Sequence, residues 1–200
     1  MKIKRAPSGR NAYWFEDAGE HETLHLGCFA ETLEKSVEVY ADLLARLYLD
    51  NPSAWIEFQS TKRWWLNERH RDRKLSWKAP VYEDESYLAF ELTGRAEILD
   101  ALKRFWLLKE LRCYFWKQDS ASLQPRDILP GIARTEFKEL TRYVPSVARF
   151  IAERDVCGSY LRVTFHRSEA KFVDQLLAES AANFGMKLLL EASIFKTGGD

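Results

Sequence analysis

Residues 87–117 read YLAFELTGRAEILDALKRFWLLKELRCYFWK, and the change of period inside this stretch decides the fold. From Tyr87 to Leu92 the side chains alternate, with Leu88, Phe90 and Leu92 on one side and Tyr87, Ala89 and Glu91 on the other. That is the period of a strand. From Thr93 the period lengthens, because Ile98, Leu99, Leu102, Phe105 and Trp106 share one side only at helical spacing. A helix capped by Thr93 and running to about Leu108 is predicted. Alternation returns from Leu111 to Lys117 as a second strand. The unit is therefore strand, helix, strand.

The same plan occurs on both sides of this stretch. Thr23 to Cys28 reads as a strand, followed by a helix from Leu33 to Leu49 with Thr32 as its cap and Asp50-Asn51-Pro52 as its stop. Ala54 to Gln59 is the strand after it. Near the other end, Tyr160 to His166 reads as a strand. A Ser168-capped helix carrying Phe172, Val173, Leu176 and Leu177 follows, then a stop at Gly185 and a strand from Lys187 to Ala192. The first two units in succession give β-α-β-β-α-β, the ferredoxin-like order, so the fold class is α+β with a sheet extended by the third unit. All three helices are expected on one face. A single domain covers 1–200: residues 23–117 form the ferredoxin-like part with a basic insertion at 60–85, 119–158 a helical connection, and 158–195 the third unit. Within the connection, Leu140, Val144, Val147 and Ile151 predict a helix over 136–154 that Pro145 kinks.

Composition bounds what such a fold can do. Two hundred residues, 46% apolar and 30% charged, suffice for one buried core without staples. No run approaches the roughly 20 apolar residues of a membrane span, and the opening Met1-Lys2-Ile3-Lys4-Arg5 lacks a signal peptide's apolar stretch. A cytoplasmic location and no membrane partner are expected. Cys28, Cys113 and Cys157 form no C-x-x-C pair and read as buried thiols. Thirty bases balance thirty acids, so net charge calls for neither nucleic acid nor an anionic surface.

Strand alternation also sorts side chains between the two faces of the sheet. One face collects Ile56, Phe58, Leu88, Phe90, Leu92, Leu111, Cys113, Phe115, Leu161, Val163 and Phe165, a core face for the helices. The other collects Trp55, Tyr87, Arg112, Tyr114, Trp116, Tyr160 and Arg162, with Glu57, Gln59, Ala89, Glu91, Thr164 and His166 among them. Trp, Tyr and Arg dominate binding hot spots, because each joins a large contact area to a polar handle. These seven residues are the candidate partner-binding set. The competing reading makes this face a second core layer, covered by the helix at 136–154.

Three sets of residues invite a chemical reading. His21-Glu22-Thr23-Leu24-His25 matches H-E-x-x-H, the zinc-hydrolase motif, but Gly19 and Gly27 bracket it and Leu24, Leu26 and Cys28 alternate as in a strand. On a strand His21 and His25 stand about 13 Å apart, too far to share one ion, so no metal is expected there. The insertion from Lys62-Arg63-Trp64-Trp65 to Trp77-Lys78 mixes seven bases with aromatics, as single-stranded RNA sites do, although Glu83-Asp84-Glu85 adjoins it. RNA binding or processing through residues 62–78 is the alternative function. His166 with Cys113 or Cys157 is a third pairing, of a kind more often structural than catalytic. No phosphate-cradling glycine loop or nucleophile elbow occurs, so neither a catalytic set nor a cofactor is expected.

Ala12-Tyr13-Trp14, the helical stretch from Glu31 to Leu49, Asp50-Asn51-Pro52 and Trp55 together resemble immunity proteins of bacterial polymorphic-toxin systems, over about a quarter of the chain. The resemblance implies a small cytoplasmic protein without enzymatic activity that binds and blocks a cognate toxin domain. It carries no residue-by-residue motif. A non-enzymatic protein-binding function, toxin neutralisation in particular, is the expectation taken forward.

Overall fold

A computed structural model of the chain describes residues 12–27, 32–48, 54–59, 79–84, 86–106, 111–116, 127, 148–154, 160–187 and 189–190. Nine strands and three α-helices are found among them: β1 (Ala12–Ala18), β2 (His21–Gly27), α1 (Leu33–Leu47), β3 (Ala54–Gln59), β4 (Tyr82–Glu83), β5 (Tyr87–Leu92), α2 (Arg95–Phe105), β6 (Arg112–Trp116), β7 (Ala148–Arg154), β8 (Tyr160–His166), α3 (Ala170–Asn183) and β9 (Leu189–Leu190). They form one open sheet in the order β4-β5-β3-β6-β7-β8-β2-β1-β9. Its described pairings are antiparallel, apart from β1 with β9. Both edge strands are two residues long, so seven longer strands carry the α+β architecture.

The order corrects the repeat. A ferredoxin-like sheet keeps the four strands of the first two units together, but here β7 and β8 stand between β2 and β6. The recurrent unit is an antiparallel pair followed by a helix: β1–β2 then α1, β3–β5 then α2, β7–β8 then α3. A second correction explains the first. Residues 148–154, expected as the end of a helix, are strand β7, buried at six of its seven positions. A strand buried on both faces loses the alternation that announces a strand. The rest of 119–147 and the basic stretch 60–78 lie outside the described residues, save Asp127.

Local chemistry sets the element ends. The two-residue turn between β1 and β2 begins at Gly19, whose φ of +79° has the sign that primed hairpin turns require. Thr32 Oγ1 accepts from the Lys35 amide at 3.3 Å and so caps α1. Thr93, expected to cap α2, instead takes Glu97 as partner for both its amide (2.8 Å) and its hydroxyl (3.2 Å), and Gly94 is the cap residue. At α3 the expected Ser168 cap is reversed: His166 Nδ1 accepts from the Ser168 amide at 3.2 Å and heads a 3-10 turn over 167–169. That helix ends where the sequence predicts. Gly185, at φ +60°, donates to Ala182 O at 3.1 Å, and the Met186 amide donates to Ala181 O at 2.8 Å, which is a Schellman stop.

All three helices bury their apolar sides against one sheet face, as the repeat reading predicts. Leu44, Ile98, Leu102, Val173 and Leu177 join Ile56, Phe90, Phe115, Phe150, Val163 and Phe165 in one core. Tyr40 stacks on Trp106 with ring centroids 4.8 Å apart, worth about 1 kcal/mol beyond the area buried. Buried Asp42 ties the helices together above that core. It accepts from Arg46 Nε at 2.7 Å and from Arg95 Nη2 at 2.8 Å, while Arg46 Nη1 reaches Glu179 of α3 at 3.0 Å. The helix-bearing face is called the near face below.

Candidate partner-binding site

The far face is built in cross-strand rows, because residues in register on neighbouring strands stand side by side. One row runs Trp55, Tyr114, Ile151, Thr164, Thr23 across β3, β6, β7, β8 and β2. Tyr114 and Ile151 are wholly buried, Trp55 is 3% exposed, and the hydroxyls of Thr23 and Thr164 satisfy each other at 2.8 Å. The adjacent row is ionic. It runs Arg112, Glu153, Arg162, His25 across β6, β7, β8 and β2, and its register continues to Glu57 on β3.

Within that row Glu153 is the hub. Its Oε1 accepts from Arg112 Nε at 2.9 Å and its Oε2 from Arg162 Nη2 at 2.5 Å. The Arg112 and Glu153 side chains are each 6% exposed, whereas Arg162 keeps 30%. A buried carboxylate is retained only where charged donors satisfy both oxygens, and this geometry supplies them. Two guanidinium groups share one carboxylate, so the triad itself carries surplus positive charge.

These positions divide the seven sequence-predicted binding residues. Trp55, Tyr87, Arg112 and Tyr114 are interior, with Tyr87 7% and Arg112 5% exposed, so as surface residues they are corrected. In-register neighbours flank Tyr114 and Arg112 on both sides. Tyr160 and Arg162 are half-buried and keep surface for a partner. The Trp116 side chain lies outside the described residues. Register pairs two residues not on that list, His166 on β8 and His21 on β2, both half-buried, at the opposite end of the β8 strand from Tyr160. Glu153 was missed because its segment read as helix.

The catalytic alternatives find little geometry. His21 and His25 lie on β2, a strand as expected, opposite His166 and Arg162 respectively. Among the described residues no three His, Cys, Asp or Glu side chains are grouped to hold a metal ion. Cys113 points into the near-face core, and desolvation pushes its thiol up to about 12. The thiolate, the reactive form, is therefore scarce at neutral pH. His166 stands on the opposite face of the sheet from it, so these two make no pair. Arg149 is structural: Nε and Nη2 each meet a Glu169 oxygen at 2.9 Å, and its guanidinium lies 4.9 Å from the Phe172 ring centroid.

No helix among the described residues is long and apolar enough to cross a membrane. What fold and site define is an α+β sheet protein whose far face keeps Tyr160 and Arg162 half-exposed on β8. No family model, curated protein or solved structure matches the chain.

Proposed function

We propose that this chain is a non-enzymatic, cytoplasmic protein-binding protein of the immunity type, which neutralises a cognate toxin domain by docking it on the far face at Tyr160 and Arg162 of β8. The observation that carries the reading is the held arginine. Arg162 is part exposed, yet its guanidinium is fixed by Glu153, itself fixed by buried Arg112. Immobilising a long side chain on binding costs about 0.5–1.5 kcal/mol, and here most of that ordering precedes the encounter. A preorganised arginine beside Tyr160 supplies two hot-spot residue types on rigid strands.

The test is capture of the partner from the native host, followed by its binding to variants. We expect a stoichiometric protein whose affinity falls by about 2 kcal/mol or more in Tyr160→Ala and in Arg162→Ala. Its expression without this chain should arrest growth. Recovery of RNA in place of protein, or a protein indifferent to both substitutions, contradicts the proposal.

A further inference from the structure

We infer that His21 and His166 together bind a divalent transition-metal ion, copper(II) ahead of zinc(II), at the end of the β2–β8 ladder. The two are direct cross-strand partners, His21 on the strand that follows the Gly19 turn and His166 on the last position of β8. Their ring centroids lie 5.7 Å apart with planes at 86°. Two imidazoles that share one ion at roughly 2.0–2.1 Å per nitrogen place their centroids about 5–6 Å apart, so the rings already stand at bridging distance. Both are half-buried and reachable from solvent.

The surroundings of His166 suit a ligand. Its Nδ1 lies 2.8 Å from Ser168 Oγ and 3.2 Å from the Ser168 amide nitrogen. In one state a bare Nδ1 accepts from both the amide and the hydroxyl; in a second, Nδ1–H donates to the hydroxyl, the amide contact is given up and Nε2 keeps its lone pair. An ion on Nε2 selects the second state, in which Ser168 Oγ is the outer partner that ligating histidines regularly have. The nearby cation, Arg167, is directed to Glu22 with Nε to Oε1 at 3.3 Å, and its amide donates to Glu20 O at 2.9 Å. Imidazole ligands favour copper over zinc, which gives the order. Two protein ligands leave positions for water, so the ion is exchangeable. The H-E-x-x-H letters thus contribute their first histidine only, paired with a residue from the other end of the chain.

The test titrates the tag-free full-length chain with copper(II) chloride and with zinc(II) chloride by calorimetry, and reads the thermal midpoint at saturation. An ion that binds the folded state alone raises that midpoint. We expect one equivalent of copper bound more tightly than zinc and a higher midpoint. His21→Ala and His166→Ala should each remove both effects, while His70→Ala leaves them. His21→Ala keeps the helix-capping histidine, so it tests the site even where His166→Ala unfolds the chain. Stoichiometric binding that survives His21→Ala, binding lost in His70→Ala, or no binding by the folded wild-type chain overturns the inference. None of these outcomes depends on the toxin-neutralising reading.

Discussion

At the middle of the far face Tyr114 and Arg112 are withdrawn from solvent, whereas two strands away Tyr160 and Arg162 keep part of their surface. The residue types are the same and the strand positions differ. On β6 a tyrosine stands between Trp55 and Ile151, its partners on β3 and β7, and adds to a second interior layer. Tyr160, at the first position of β8, faces Gly27 across the ladder to β2, which brings no side chain alongside it. Aromatic and arginine content on a sheet face therefore does not by itself tell which of those side chains keep contact with solvent.

The largest effect that can break this comparison comes from the ionic row. Glu153→Ala removes the buried carboxylate that Arg112 and Arg162 share, and we expect a loss of about 3–5 kcal/mol in urea unfolding. A loss under about 1 kcal/mol would mean that water reaches the row. Next in size is the pair of tyrosines. Tyr114→Ala should cost about 3–5 kcal/mol through the cavity it opens, and Tyr160→Ala within about 1 kcal/mol, measured by the same denaturation. Equal losses at both would erase the distinction between middle and end.

These residues also show how far the sequence could be read. The bounds of strands β3, β5 and β8 match the alternation to the residue. Helix α1 is legible from Thr32 and from its apolar stripe. Strand β7 is not, since Ile151 fits a spacing of four from Val147 as well as it fits a strand, and burial on both sides erases the difference. With β7 unread, Glu153 could not be paired with Arg112 and Arg162, and the strand order that hides Tyr114 while leaving Tyr160 open was out of reach. Sequence periodicity reports which way a side chain points. Long-range pairing decides what stands beside it.

Two smaller effects sharpen the comparison. Thr23→Val or Thr164→Val alone should cost about 1–3 kcal/mol by stranding a buried hydroxyl, while the double change should lie close to neutral, a non-additivity readable by a double-mutant cycle. Additive losses would argue that solvent, and not the partner threonine, satisfies each group. Cys113 should have almost no effect at neutral pH. Its folded thiol sits near 12 against an ordinary 9.0, so the folded chain holds the proton more firmly than the unfolded one. This raised value contributes stability that is full below about 9 and is lost progressively as pH rises towards about 12. At pH 8 a thiol reagent should modify Cys113 only upon unfolding, as read by peptide mass spectrometry, and rapid labelling of the native chain would contradict its burial.

The central claim is that the partner docks at the Tyr160–Arg162 end and not over the middle of the face. Side-chain footprinting by hydroxyl radicals, in the free chain and in its complex with the captured partner, tests it most directly. We predict that Tyr160 reacts in the free chain and is protected in the complex, while Tyr114 and Trp55 stay unreactive in both. Reactive Tyr114 and Trp55 in the free chain that become protected in the complex, with Tyr160 unchanged, would contradict the account.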